Sequence, residues 1–150
     1  MQKLNLPSCS FKLKSNEKQS LIFDKVRKKY VVLTPEEWVR QHFVSFLITE
    51  KKYPISLVAV EKQLQLHTRV KRTDILVFSA AGTPHIIVEC KAPSVKITQD
   101  TFDQIARYNL ALNATYLVVT NGLEHIVCQM DFEQEKYVFL EQIPSYERLS

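Results

Sequence analysis

The sequence predicts an α/β domain in which helices cover one mixed β-sheet. The main observation is that stretches with helical and with strand periodicity alternate along the chain. A second is the nearly continuous apolar run TYLVVTNG at 115–122, which is typical of a central strand covered on both faces. A third is size: 150 residues, 45% of them hydrophobic, suit a single domain with its own core.

The first predicted element is a helix in LTPEEWVRQHFVSFLI, residues 33–48. Thr34 fits the N-cap, Pro35 suits the first helical position, and Glu36 and Glu37 suit the positive end of the helix dipole. Apolar and aromatic side chains recur at helical spacing and are expected to pack inward. They are Trp38, Val39, His42, Phe43 and Phe46.

The rest of the chain predicts strands with one further helix among them. The segment SAAGTP at 79–84 contains turn residues, so the strands on either side of it form a hairpin. The predicted strands are 57–66, 73–78, 85–92, 115–122, 125–132 and 137–143, and the predicted helix is 98–113.

The chain is expected to form one domain, 1–150, with a core at 31–132 and a C-terminal strand or tail at 133–150. Residues 1–30 are a basic extension, with eight Lys or Arg against two acids, whereas the rest has a slight acidic excess. Such an extension either neutralises nucleic-acid phosphates or is a solvated leader that keeps the protein soluble.

Composition excludes several classes of protein. Only two glycines occur, Gly82 and Gly122, so there is no glycine-rich loop for ATP or NAD phosphates. The cysteines, Cys9, Cys90 and Cys128, are scattered, which argues against a disulfide framework and a structural zinc site. No run approaches the ~18 apolar residues of a membrane span, and no signal peptide is evident, so a cytoplasmic protein without membrane partners is expected.

An acid and a base end the apolar strand in IIVECKAP, residues 86–93. Because strand side chains alternate between faces, Ile87, Glu89 and Lys91 share one face. The hairpin turn is centred near 81–82, which makes Asp74 a near cross-strand neighbour of Glu89. Two adjacent carboxylates repel unless a cation intervenes, and Mg²⁺ or Mn²⁺ with oxygen ligands is the natural partner.

Asp74, Glu89 and Lys91 together predict phosphodiester hydrolysis. Asp74 and Glu89 are the candidate metal ligands, and Lys91 is the candidate that orients the attacking water and stabilises developing negative charge. The alternative is a salt bridge between Lys91 and either acid at a sheet edge.

Residues on the two predicted helices are further candidates. Gln104 and Tyr108 lie one turn apart on one side of the second helix and can approach the site, unless they form an ordinary exposed face. Glu36 and Arg40 form an i,i+4 pair on the first helix, for which the alternative is a surface ion pair.

Basic residues before Asp74 are candidates for nucleic-acid binding. Arg69, Lys71 and Arg72 could meet phosphates together with Arg40, and the alternative for the first three is a solvated loop. Glu61 is a lone acid on a predicted strand and is expected to face solvent.

Five segments, in order TPEEWVR, KRTDILVF, IIVECKAP, DQIARYN and YLVVTNG, resemble the N-terminal nuclease domain of type I restriction enzyme R subunits, within the PD-(D/E)xK nuclease superfamily. The resemblance covers roughly residues 24–132. It implies a restriction-endonuclease-like αβα sandwich with a central mixed β-sheet. It also implies that Asp74 and Glu89 are the metal-binding acids, that Lys91 is the catalytic lysine, and that Gln104 and Tyr108 form the Q-x-x-x-Y motif.

The same resemblance makes Glu36 the acid of the first helix, with Glu37 an equal candidate. It implies a Mg²⁺-dependent DNA endonuclease. The family's helicase-type motor is not expected, because the sequence stops at Ser150. The implied partners are DNA and a separate motor or specificity subunit, and a homodimer is expected because one small domain presents little surface to duplex DNA. The rival function is a non-catalytic nucleic-acid-binding or interaction module that retains the nuclease fold, and an RNA-directed nuclease is a third.

Overall fold

The computed structural model describes residues 2–66 and 69–147, without the side chains of Leu66, Arg69 and Ala111. It contains two sheets and two α-helices, and a short 3-10 helix at Ile55–Leu57. The strands are β1 (Leu13–Ser15), β2 (Ser20–Asp24), β3 (Lys29–Val32), β4 (Val58–Leu66), β5 (Arg69–Phe78), β6 (Pro84–Cys90), β7 (Tyr116–Thr120), β8 (His125–Asp131) and β9 (Lys136–Leu140). The helices are α1 (Pro35–Thr49) and α2 (Gln99–Leu112).

The larger sheet has six strands in the order β4-β5-β6-β7-β8-β9. All neighbouring pairs are antiparallel except β6 and β7, which are parallel and joined through α2. The sheet is therefore mixed, as the sequence predicts. β7 lies inside the sheet, in the position predicted from its apolar run.

The two helices cover opposite faces of this sheet, because its strands are apolar on both faces. On one face Phe43 of α1 belongs to a core cluster with Ile75 and Val88. On the other, Phe102 of α2 packs in a second cluster with Ile87. These clusters give the αβα layering that the sequence predicts. The predicted cap of α1 is also present, since Thr34 Oγ1 accepts a hydrogen bond from the backbone N–H of Glu37 at 3.0 Å.

Much of the N-terminal extension is folded into a second sheet. Strands β1, β2 and β3 form an antiparallel meander, where the sequence patterns left open only a short strand. The β2–β3 turn is closed by Asp24, whose Oδ1 accepts from the backbone N–H of Val26 at 2.8 Å and of Arg27 at 2.9 Å. Lys28 completes the turn with a φ of 57°, in the left-handed region.

Strand β5 is longer than predicted and begins at Arg69 rather than near Thr73. This segment is part of a strand and not the solvated loop that was its alternative, because β4 and β5 pair as far as Leu66 and Arg69, with a break at Glu61 and Asp74. The pairing of β5 with β6 begins only at Ile75 and Val88. Residues 62–66 and 69–73 thus project beyond β6 as a two-stranded β4–β5 extension. No helix in the described part of the chain is long and apolar enough to cross a membrane.

Candidate active site

Strands β5 and β6 separate at Asp74 and Glu89. We call this point of separation, with the side chains of Asp74, Glu89 and Lys91, the fork. The register that pairs Ile75 with Val88 places Asp74 opposite Glu89 at the next position, as the position of the hairpin turn predicts. Beyond this point β6 stays with β7 and β5 stays with β4. The Asp74 side chain bridges the fork, because its Oδ2 accepts a hydrogen bond from the backbone N–H of Cys90 at 2.8 Å.

Glu89 lies in the fork with most of its side chain buried. Burial, together with the negative charge of Asp74, raises the pKa of Glu89 to about 7. Lys91 and Lys71 oppose this rise with their positive charges, and Lys91 Nζ is 3.8 Å from Glu89 Oε1. The structure therefore brings together the three residues of the predicted hydrolytic group, at a separation that is long for a salt bridge.

Arg40 of α1 lies inside a group of acids. Its Nη2 contacts Glu61 Oε1 at 2.7 Å, Asp74 Oδ1 at 2.8 Å and Glu36 Oε1 at 3.3 Å, and its Nη1 contacts Glu37 Oε1 at 2.6 Å. The residue is 6% exposed. Burial alone would lower the pKa of Arg40, but the hydrogen bond to Asp74 and the surrounding carboxylates raise it.

This placement corrects the expectation that Arg40 contacts phosphates. A guanidinium that is enclosed by the protein's own carboxylates does not face a nucleic acid. The i,i+4 pair with Glu36 is present, and it joins the half-exposed Glu36 to the buried network around Arg40. The reason is that α1 packs closely on β5, which carries Asp74.

The two acids of the first helix turn have different surroundings. The Glu36 side chain is 48% exposed, and burial followed by the charge of Asp74 raises its pKa. Glu37 is buried and accepts hydrogen bonds from Arg27 at 2.8 Å and from Gln41 at 3.0 Å, besides its contact with Arg40. Glu36 is thus the acid that interacts electrostatically with the fork, and Glu37 is part of the buried network behind it.

Glu61 is a site residue that the sequence did not reveal. It was expected to face solvent, but it pairs with Arg40 and, at 3.1 Å, with Arg72. Its φ is 56°, a left-handed conformation that is costly for a residue other than glycine and that interrupts β4 opposite Asp74. A strand pattern carries no signal for such a conformation, so the pattern alone could not have identified it.

The predicted basic and aromatic residues differ in the contacts that they make near the site. Lys71 Nζ lies 4.4 Å from the centre of the Tyr108 ring, and Arg72 is exposed apart from its pairing with Glu61. Gln104 is exposed on α2 and makes no side-chain hydrogen bond with the described residues. The side chain of Arg69 lies outside the described part of the structure.

The fork fits a hard divalent cation. Asp74 and Glu89 offer carboxylate oxygens, and such an ion would counter the burial and the repulsion by Asp74 that raise the pKa of Glu89. In 2–66 and 69–147, no group of three or more His, Cys, Asp or Glu side chains is arranged to hold a metal ion. Two carboxylates suffice for Mg²⁺, which usually keeps several waters and binds substrate phosphate as well.

Comparisons with known proteins identify the family and the fold of this chain. The family model described as type I restriction enzyme R protein N terminus (HSDR_N) matches residues 35–144. A solved fragment, described as a putative HsdR subunit of a type I restriction enzyme from Vibrio vulnificus YJ016, superposes with a TM-score of 0.51 at 19% identity. The match covers 75% of this chain and 24% of that one, and shows a shared restriction-endonuclease-like fold. No curated protein matches the chain.

Proposed function

Because this chain belongs to the family of type I restriction enzyme R protein N termini, we propose that it is a metal-dependent deoxyribonuclease. The observation that carries the proposal is the fork, where Asp74 lies opposite Glu89 and Lys91 Nζ is 3.8 Å from Glu89 Oε1. Two adjacent acids and a lysine in a partly buried position are costly to maintain unless they hold and use a cation.

Each residue of the fork has a role in this proposal. Asp74 and Glu89 hold the ion, which when bound polarises the phosphodiester and lowers the pKa of a water molecule. Lys91 orients that water and stabilises the negative charge that develops on the phosphate. The water oxygen bonds to phosphorus while one ester P–O bond breaks, which leaves an alcohol and a phosphate monoester. Glu36, which interacts with Asp74 and Lys91, adjusts the charge of the site from α1.

The surroundings of the fork suit a DNA substrate. Lys71 and Arg72 on the β4–β5 extension present positive charge beside the acids, and such side chains contact backbone phosphates without reading sequence. Tyr108 supports Lys71, and Gln104 precedes it by one helical turn. Separate motor or specificity subunits and a second copy of the chain are proposed partners, as the family resemblance implies.

The first test is cleavage of supercoiled plasmid by wild type and by Lys91→Ala, with Mg²⁺, with Mn²⁺ and with EDTA. The expected result is cutting by the wild type with either metal, and none with EDTA or with the variant. Lys96→Ala is the matched control, because Lys96 is an exposed lysine of the loop that follows β6. Cutting by Lys91→Ala at the rate of this control would refute the assigned role.

Cleavage in EDTA would contradict metal dependence. A protein that binds duplex DNA equally well after Asp74→Asn, and that cuts under no condition, would be a non-catalytic binding module instead. Cleavage of single-stranded RNA in preference to DNA would identify the RNA-directed alternative.

A further inference from the structure

Three carboxylates converge on one nitrogen atom beside the fork. Glu61, Asp74 and Glu36 all place an oxygen within 3.3 Å of Arg40 Nη2. These acids come from three separate elements: β4, β5 and α1. One guanidinium therefore offsets part of the negative charge of these three acids, and Asp74 also interacts with Glu89.

Arg40 is held in this position from behind. Its Nη1 contacts Glu37 at 2.6 Å, and Glu37 is itself fixed by Arg27 and Gln41. Arg27 and Gln41 also bind the fully buried Asp24 at the end of β2, at 2.5 Å and 3.0 Å. The small N-terminal sheet thus anchors the guanidinium through a chain of ion pairs and hydrogen bonds.

Two properties prevent Arg40 from yielding its place to a metal ion. A guanidinium remains protonated in proteins, so its charge cannot be removed by loss of a proton. The side chain is 7% exposed and bonded at both terminal nitrogens, so a swing into solvent would leave the Asp74 carboxylate buried without this counter-charge and Glu37 with Arg27 alone. A divalent ion placed among Glu36, Glu61 and Asp74 would instead meet a fixed positive charge at close range.

We propose that Arg40 takes the place of one cation in this site, so that the protein binds a single divalent ion, between Asp74 and Glu89. This inference rests on the proposed metal-dependent function and specifies its stoichiometry. Arg40 is a positioning residue in this account, because it acts by fixing Asp74 and by occupying the space between the other acids.

The test is a calorimetric titration of the full chain with Mn²⁺, with the bound ions counted independently by electron paramagnetic resonance. The wild type is expected to bind one Mn²⁺ per chain, and Asp74→Asn and Glu89→Gln are expected to lose that binding. Two ions per wild-type chain would overturn the inference while leaving the proposed function intact. No binding at all would remove both, so the two failures are distinguishable.

Variants of the guanidinium site sharpen the test. Arg40→Gln frees Glu36 and Glu61, so a second and weaker Mn²⁺ is expected. Arg72→Gln, which also removes a cationic partner of Glu61 but at an exposed position, is expected to stay at one ion. A folded Arg40→Gln protein that still binds one ion would overturn the inference.

Glu61→Gln decides the matter if Arg40→Gln does not fold. This variant is expected to keep one ion at close to wild-type affinity, because Glu61 serves Arg40 and not the metal. Loss of the ion in folded Glu61→Gln would show that Glu61 is a ligand, which contradicts the inference.

Discussion

Lys71 Nζ lies 4.4 Å from the centre of the Tyr108 ring, so a basic side chain of the β4–β5 extension rests on an aromatic side chain of α2. The charge of Lys71 also acts on Glu89, where it opposes the rise in the pKa of that carboxyl. The contact therefore fixes one of the positive charges that we assign to DNA binding.

Replacing Tyr108 with leucine is expected to weaken binding to a fluorescent DNA duplex in EDTA. The loss should be about twofold to fivefold, because an exposed cation–π contact is worth about 0.5–1 kcal/mol. Tyr108→Phe keeps the ring and should bind like the wild type. Equal weakening in the two variants would show that the hydroxyl, and not the ring, supports binding.

Glu89→Gln is expected to raise the melting temperature of the metal-free protein at pH 8. The pKa of Glu89 is raised from 4.5 to about 7 by burial and by Asp74, so the unfolded chain loses this proton at lower pH than the folded chain. The contribution of Glu89 to stability consequently falls as pH rises from about 4.5 to 7, and the amide removes that loss.

The control for this prediction is Glu124→Gln, which changes an exposed acid. Thermal unfolding of both variants in EDTA is measured from pH 4.5 to pH 8. The advantage of Glu89→Gln should shrink toward the acid end and disappear when Mn²⁺ is added. An advantage that does not vary with pH would refute the electrostatic explanation.

Asp24→Asn is expected to lower the free energy of unfolding by about 1–3 kcal/mol, because it weakens charge-assisted hydrogen bonds at a fully buried position. Urea denaturation is the measurement. Asp131→Asn is the matched control, since Asp131 closes the β8–β9 turn with two similar backbone bonds of 3.1 Å but is only half-buried. Equal losses would mean that the link from Asp24 to Arg27 and Gln41 adds nothing.

Glu36→Gln and Glu37→Gln are expected to separate chemistry from stability. Glu36 is half-exposed and interacts with Asp74 and Lys91, so its variant should cut plasmid about tenfold more slowly or worse with unchanged unfolding. Glu37 is buried among Arg27, Arg40 and Gln41, so its variant should lose about 1–3 kcal/mol of stability. Slower cutting by Glu37→Gln together with lost stability in Glu36→Gln would instead identify Glu37 as the functional acid.

The sequence predicts the large sheet, both α-helices and the position of Asp74 opposite Glu89 because these depend on local signals. Residue periodicity defines each element, and the turn at 79–84 sets the hairpin register. The faces of β6 follow in the same way, since Ile86 and Val88 pack under α1 and Ile87 under α2.

The features that the sequence does not reveal depend on contacts between distant parts of the chain. Arg40 is buried because acids from β4 and β5 meet it, and the small N-terminal sheet is held by Asp24, Arg27 and Gln41. Glu61 turns toward Arg40 through an unusual backbone conformation. The spacing of residues within one segment carries no information about these contacts.

The hydrogen bond across the fork has a consequence for the genetics of this protein. Asp74 supplies the acceptor for the buried backbone N–H of Cys90, so the carboxylate takes the place of a backbone hydrogen bond between β5 and β6. Asp74→Ala, the usual substitution for an inactive variant, would leave that amide without an acceptor. Its phenotype would then combine lost activity with reduced protein abundance. Asp74→Asn, which retains an oxygen acceptor, is the allele from which a phenotype can be attributed to the missing charge.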